Sequence, residues 1–128
     1  MDIMKKYWTT LGIFVIPIYV LFILFFSCSQ NCDNLPGKFD NYNQAKSLVL
    51  DSHFKITDEA DVSDSYWITS AKYYSCDNKT GYFIIEIDDE KYIYQDMPLN
   101  VWNNFSKAKS KGRFYNRKIK GRFSLRLK

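Results

Sequence analysis

The chain has 128 residues, a formal net charge of +4 and an aromatic content of 18%. Without its apolar leader, about a hundred residues remain, which allows one small domain with a modest core and excludes a multidomain architecture. The charge is unevenly placed, because residues 107–128 hold ten of the 18 Lys and Arg residues and none of the 14 acidic ones. A basic, aromatic segment of this kind is what an anionic partner selects.

The N-terminal segment has the order of a secretory signal, with two lysines before an apolar run over residues 11–26. The run ends in Leu24-Phe25-Phe26-Ser27-Cys28, and a small residue followed by cysteine resembles a bacterial lipobox. The segment therefore predicts a lipoprotein signal over residues 1–27, with lipid on Cys28. The alternative is an uncleaved transmembrane anchor, since about 20 apolar residues span a bilayer. Both place residues 33–128 in the cell envelope, outside the cytoplasm.

The cysteine content agrees with an exported domain. If Cys28 is acylated, Cys32 and Cys76 remain as an even pair in a compartment that permits disulfides. A bridge would pin the mature N-terminus to the end of a strand, and two free thiols are the alternative. Three cysteines and one histidine do not make a zinc site. No metal or other cofactor is predicted.

The first part of the exported chain predicts a tether and a helix. Residues 28–38 contain Pro36 and Gly37 and are typical of a short tether. Apolar residues then recur at helical spacing from Phe39 to Val49, which predicts a helix within an N-terminal extension over residues 39–66. Residues 53–58 are a candidate short strand. The acidic loop 58–64 lacks the glycine and the spacing of a calcium loop.

The next part predicts an antiparallel meander. Aromatic and polar residues alternate over residues 66–73, and two more strands are predicted at residues 82–88 and 91–95. Turn residues at 77–81 and 88–90 connect them. Connections this short favour antiparallel neighbours.

The C-terminal part predicts a helix and a last strand. Pro98 suits the first turn of a helix with an apolar stripe, which Gly112 is expected to end. After a turn near residues 116–119, residues 123–127 alternate, with a basic outer face. The predicted fold class is α+β: a small antiparallel meander packed by two helices, behind an N-terminal signal or membrane segment.

The segment from Trp67 to Phe123 resembles the KTSC domain, which is named for its occurrence at the C-terminus of some lysyl-tRNA synthetases and also exists as a stand-alone bacterial protein. The matching features are Tyr92-Ile93-Tyr94 for a Tyr-x-Tyr motif, Pro98 opening the next helix, and Ser110-Lys111-Gly112-Arg113-Phe114-Tyr115-Asn116 followed by Ile119. The resemblance implies a KTSC-like domain over residues 67–128. It implies no activity, since none is established for the family, in which RNA binding has been suspected.

Two sets of residues are candidates for binding. Tyr92 and Tyr94 point to one face of their strand, either stacking on a ligand or packing in the core, and core packing is favoured. A candidate anion site centres on a turn between the last helix and the last strand. Its members are Arg113, Tyr115, Asn116, Arg117 and Lys120, with Lys118 beside them. The alternative is a capping turn with solvated charges.

Catalysis is not expected. The single histidine, His53, has no Cys or Ser motif near it, and the chain has no nucleophile elbow, phosphate loop or zinc-binding histidine pair. The sequence therefore predicts a non-catalytic envelope lipoprotein with a KTSC-like domain, partnered by a membrane and by an anionic ligand. The alternative is an RNA-binding protein acting through the basic C-terminal segment, against which the export signal argues.

Overall fold

The computed structural model describes residues 30–128. The predicted signal or anchor over residues 1–27 and the lipidation candidate Cys28 lie outside the described residues. Within the described part of the chain, no helix has both the length and the apolar character needed to cross a membrane.

The fold is built around an antiparallel sheet of four strands in the order β3-β4-β5-β6. A short parallel pair, β1 with β2, lies apart from this sheet. The strands are β1 Gln30–Asn31, β2 Ser52–His53, β3 Ile56–Glu59, β4 Ile68–Ser75, β5 Thr80–Ile87 and β6 Glu90–Pro98. The α-helices are α1 Tyr42–Leu50, α2 Leu99–Lys107 and α3 Lys111–Phe114, and one turn of π-helix follows at Tyr115–Ile119. A short 3-10 helix, Cys32–Asn34, lies between β1 and α1. The predicted α+β class and antiparallel meander are confirmed.

Both faces of the sheet are covered, which explains the high aromatic content. Successive residues of a strand point to opposite faces, so Tyr73 lies on one face and Tyr74 on the other. The Tyr73 face packs against Trp102 and Phe105 of α2, and the rings of Tyr73 and Trp102 stack at 5.4 Å. The Tyr74 face packs against α1, which contributes Val49. Two small cores therefore share one sheet.

A bulge in β6 holds two segments that lie outside the sheet, the tether and the C-terminal segment. Gly81 pairs with Met97 and Phe83 with Tyr94, so β6 carries one more residue than β5 between these pairs. The buried side chain of Gln95 lies at this bulge. Its Nε2 donates to the carbonyl of Gly37 at 3.2 Å, and its Oε1 accepts from the backbone N–H of Arg126 at 3.1 Å. Gln95 thus joins the tether to the C-terminal segment.

The predicted last strand over residues 123–127 is wrong as a sheet strand. The C-terminal segment makes only a single parallel bridge, between Leu127 and Phe39 of the tether. Leu125 is buried, as predicted, but Leu127 is 40% exposed. The segment docks on Gln95 and the tether instead of continuing the sheet. Its basic residues are paired: Arg126 with Asp96 at 2.8 Å and Lys128 with Asp40 at 2.7 Å.

The predicted role of Gly112 as a helix stop is also wrong. Helix α2 ends at Lys107, and Gly112 lies inside α3, which is capped by the side chain of Ser110. A Cβ on Gly112 would lie 2.9 Å from Cε2 of Trp67 and closer still to its neighbouring ring carbon. Glycine is needed here because the helix backbone packs directly on the indole. The turn predicted near residues 116–119 is the π-helical turn.

A disulfide joins Cys32 to Cys76, with the two Cα atoms 6.1 Å apart. Cys76 directly follows β4, so the bridge attaches the tether to the end of a central strand. The carboxylate of Asp77 accepts hydrogen bonds from the backbone N–H groups of Thr80 and Lys79, and these bonds lower the pKa of Asp77. The tether is therefore fixed at a rigid turn.

Candidate functional site

An aromatic cluster forms where α3 and the π-helical turn meet the sheet. The hydroxyl oxygens of Tyr94 and Tyr115 lie 2.6 Å apart, and the rings pack edge to face at 6.1 Å. The ring of Trp67 packs edge to face on Tyr115 at 6.3 Å, and its indole also covers Gly112. The cluster thus fixes the position of the helical turns that carry the basic residues.

Burial changes the pKa of the tyrosines that hold this region. Burial raises the pKa of Tyr94, and the hydrogen bond with Tyr115 raises it further. Burial also raises the pKa of Tyr73 to about 12, and the Tyr73 hydroxyl donates to the carbonyl of Met97 at 2.8 Å. Both hydroxyls therefore stay protonated at an alkaline pH at which a free tyrosine ionises, and they act as structural hydrogen-bonding groups.

Tyr115 is buried, unlike the basic residues and Asn116 that the sequence groups with it in the candidate anion site. It is 3% exposed, and its ring and hydroxyl are both used in the aromatic cluster. Asn116, the next residue, is exposed. Tyr115 therefore packs beneath the basic residues that flank it in the chain.

The two tyrosines of the Tyr-x-Tyr motif have different environments. Tyr94 is half-buried and packs on Phe83 at 6.0 Å, as the favoured core interpretation predicts. Tyr92 is 39% exposed, and its hydroxyl donates to Glu90 at 2.9 Å. Tyr92 lines a separate cleft beside Tyr42 and the C-terminal segment. The pair therefore does not form one stacking platform.

Five exposed cations make up what we term the basic cluster: Lys109, Arg113, Arg117, Lys118 and Lys120. Among residues 30–128, none of the five lies within 4.0 Å of a carboxylate, whereas Arg126 and Lys128 are both paired. Lys109 was not among the residues predicted for the anion site. It joins the cluster because α2 ends before it and the chain turns back into α3.

A pocket of about 340 Å³, which we term the Trp67 pocket, opens beside the basic cluster. The residues that matter for its chemistry are Asp64, Tyr66, Trp67, Lys109, Arg113 and Asn116, and the half-buried Lys111 also lines it. Arg113 and Asn116 were predicted for the site, but its other residues were missed. The Tyr66-Trp67 pair was assigned to a strand by alternation alone, although β4 begins only at Ile68. A second, shallower pocket of about 280 Å³ lies between Lys109, Arg113 and Lys118.

The Trp67 pocket and the disulfide lie at opposite ends of β4. Trp67 directly precedes this strand and Cys76 directly follows it, and the strand has 8 residues. At about 3.3 Å per residue, the two ends are about 26 Å apart. The tether therefore leaves the domain at the end away from the pocket.

The remaining candidates for chemistry lie outside this site. His53 is exposed on the short strand β2 and does not line the Trp67 pocket. Within residues 30–128, the one grouping of metal-ligating side chains is Cys32, Asp33 and Cys76. Its two sulfurs are joined in the disulfide, so they are not available as thiolate ligands.

The fold and the site together define a small α+β domain with a partly buried aromatic cluster and an exposed basic cluster. The family model of the KTSC domain matches residues 65–123, which confirms the resemblance over this segment. The matched segment contains the rings of the aromatic cluster, Trp67, Tyr94 and Tyr115, together with Gly112, which the indole covers. Comparison with curated proteins and with solved structures gave no match.

Proposed function

We propose that the domain is a non-catalytic binding module of the cell envelope, held at a membrane by its N-terminal segment, which binds an anionic ligand through the basic cluster. The observation that carries this proposal is that the five cations have no carboxylate partner among residues 30–128. Four of them, Lys109, Arg113, Arg117 and Lys118, line one shallow pocket. Unpaired cations this close together produce a positive potential that attracts anions. The aromatic cluster beneath them fixes the helical turns that carry these cations.

The point at which the disulfide attaches the tether supports a ligand that lies away from the anchoring membrane. Only three residues separate the disulfide at Cys32 from the predicted lipid site, Cys28, a reach of at most about 14 Å. Two of them, Gln30 and Asn31, form β1. The Trp67 pocket lies at the far end of β4 from this point. A domain held at Cys32 therefore presents the basic cluster to the envelope space, and the headgroups of its own membrane are the less accessible anions.

Binding to a soluble polyanion tests the module. The full chain, purified in a neutral detergent, is titrated with a fluorescent polyuronate oligosaccharide, a neutral glucan of the same length and a single-stranded RNA. We expect the polyuronate to bind, more weakly as salt screens the charges, and the neutral glucan not to bind. Reversing two charges, in the variant Arg113→Glu with Arg117→Glu, is expected to weaken binding about tenfold or more.

Lys79→Glu is the matched control, because Lys79 is an exposed cation at the disulfide end of the sheet. Equal loss of binding in this variant would show that net charge alone acts. Absence of polyuronate binding at low salt would contradict the proposal. Binding of RNA alone would replace it with the nucleic-acid alternative.

Metabolic labelling with a palmitate analogue tests the anchor separately. The wild-type chain is expected to take up the label and Cys28→Ala to lose it. Cys76→Ser, which removes a cysteine of the disulfide, is the control and is expected to keep the label. Unchanged labelling of Cys28→Ala would contradict the lipid anchor without bearing on the anion site.

A further inference from the structure

The geometry points to an acidic sugar, a ring with hydroxyl groups and one carboxylate, as the unit that occupies the Trp67 pocket. This inference rests on the proposed anion-binding function and names the chemical class of its ligand. It follows from three features that the pocket combines: cations at its rim, neutral and acidic hydrogen-bonding groups, and aromatic rings.

The cations suit a single carboxylate. Arg113 is exposed at the pocket, and its planar guanidinium can bind both oxygens of a carboxylate. Lys111 is held in place because its Nζ donates to the carbonyl of Ala108 at 3.2 Å. Lys109 adds a third positive charge at the same rim. A carboxylate in the pocket would thus meet oriented donors from one short stretch of chain.

The acidic and amide groups favour a ligand with hydroxyls. Asp64 lines the same pocket, and an ionised carboxylate only accepts hydrogen bonds. It therefore suits ligand hydroxyl groups and repels the two negative charges that a phosphate dianion concentrates on one group. The exposed amide of Asn116 can both donate and accept, which also matches hydroxyls. A hydroxyl-rich ligand with one carboxylate on each ring satisfies both groups.

The aromatic residues supply the apolar surface that a sugar ring needs. Tyr66 is 96% exposed, although tyrosine presents a large apolar ring. Trp67 beside it is half-buried and is held by Gly112 and Tyr115. An exposed aromatic ring and a fixed one in the same pocket can contact the C–H face of a sugar. The volume of about 340 Å³ lies at the low end of ligand pockets, which run from about 300 to 1,000 Å³. One or two rings therefore fit.

Calorimetric titration of the full chain in neutral detergent tests the assignment. The probes are digalacturonate, its neutral methyl diester and inorganic phosphate. We expect digalacturonate to bind at least fivefold more tightly than either of the others. Tyr66→Ala and Asn116→Ala are each expected to weaken digalacturonate binding at least fivefold. Tyr42→Ala, which removes a 51% exposed tyrosine from α1, is the matched control and is expected to leave binding unchanged.

The outcomes separate this inference from the proposed function. If the polyuronate binds but Tyr66→Ala and Asn116→Ala behave as wild type, the sugar pocket is wrong and the charge-driven function stands. Phosphate binding as tight as digalacturonate binding would also overturn the sugar assignment. If neither the polyuronate nor digalacturonate binds, both proposals fail. Near-ultraviolet circular dichroism of each variant verifies folding, which these exposed substitutions should not affect.

Discussion

The hydroxyl groups of Tyr94 and Tyr115 hydrogen-bond to each other at 2.6 Å across the joint between the sheet and the π-helical turn. One comes from the central Tyr-x-Tyr motif and the other from the helical segment that carries the basic cluster. Tyr115 is buried, so the pair exchanges its hydrogen bonds with water only when the joint opens. The two motifs that carry the family resemblance are thus parts of one structural contact.

Removing both hydroxyls is expected to destabilise the domain by less than the sum of the two single removals. Tyr94→Phe or Tyr115→Phe leaves one buried hydroxyl without its partner, at a cost of about 1–3 kcal/mol. The double variant removes both polar groups and is expected to lose less than the sum of the single losses. Urea denaturation of the four proteins measures the coupling. Strict additivity would show that the hydroxyls act independently. Tyr66→Phe, a change on an exposed ring, is the control.

Alkaline pH is expected to unfold the domain through its buried tyrosines. The pKa of Tyr73 is raised from 10.0 to about 12 in the folded chain, so the unfolded chain releases this proton first. The stabilisation is complete below pH 10 and is lost as the pH rises towards about 12. Tyr94, whose pKa is raised in the same direction, adds to this loss.

Thermal unfolding followed between pH 9 and 12 checks this expectation, and tyrosinate absorbance reports the ionisation in parallel. Tyr94→Phe is expected to show a shallower fall of melting temperature over this window than the wild type. If the melting temperature of Tyr94→Phe and of Tyr73→Phe falls as steeply as that of the wild type, the alkaline unfolding does not come from these two tyrosines.

The elements predicted well from the sequence are those whose signals are local. The strands around Tyr73, Phe83 and Tyr94 show the period of two, and the helix after Pro98 shows an apolar stripe. Such patterns arise because the residues that share one buried face recur at a fixed spacing within a single strand or helix. The short connections, such as the turn at Asp77, then determine the antiparallel order.

The errors concern contacts between parts of the chain that are far apart in sequence. Residues 123–127 alternate like a strand, but their partners are the tether and the bulge at Gln95, which alternation does not reveal. The candidate site was half predicted for the same reason. Arg113 and Asn116 lie in the basic segment and were found, whereas Asp64 and Tyr66 come from a loop more than 40 residues earlier in the chain.

Gly112→Ala is expected to destabilise the domain, although helix propensity alone predicts the opposite. Alanine is favoured over glycine inside a helix by about 1 kcal/mol. The added Cβ would lie 2.9 Å from Cε2 of Trp67, and overpacking of this kind costs about 1–3 kcal/mol. Gly37→Ala is the control, since a Cβ there meets nothing within 4 Å. Equal stability of Gly112→Ala and wild type would contradict the packing role.

Loss of the disulfide is expected to destabilise the whole domain. Cys32 and Cys76 are separated by 44 positions, so their bridge restricts a long loop of the unfolded chain. Replacing both with serine is expected to cost about 2–4 kcal/mol. Urea denaturation of the double variant and of the wild type, each with and without reductant, measures this loss of stability. If reductant lowers the stability of the double variant as much as that of the wild type, the effect does not come from this bridge.

Gln95→Ala is expected to release the C-terminal segment while the sheet remains intact. The Gln95 side chain holds the carbonyl of Gly37 and the N–H of Arg126, and the N–H groups of Phe39 and Lys128 bond to the neighbouring carbonyls of Arg126 and Phe39 at 2.9 Å. Removing it leaves two partly buried backbone groups without their partner, which costs about 1 kcal/mol. Opening should be local, because these bonds do not belong to the sheet.

Amide hydrogen exchange distinguishes local release from general destabilisation. In Gln95→Ala, the N–H groups of Phe39, Arg126 and Lys128 are expected to exchange faster, while those of β5 keep their protection. Arg126→Ala is the matched comparison, because it removes only the exposed ion pair with Asp96 and keeps the backbone donor. It is expected to change exchange little, since exposed ion pairs contribute little to stability. Uniformly faster exchange across the sheet in Gln95→Ala would contradict a local role. It would show instead that the bulge at Gln95 supports the whole β6 edge.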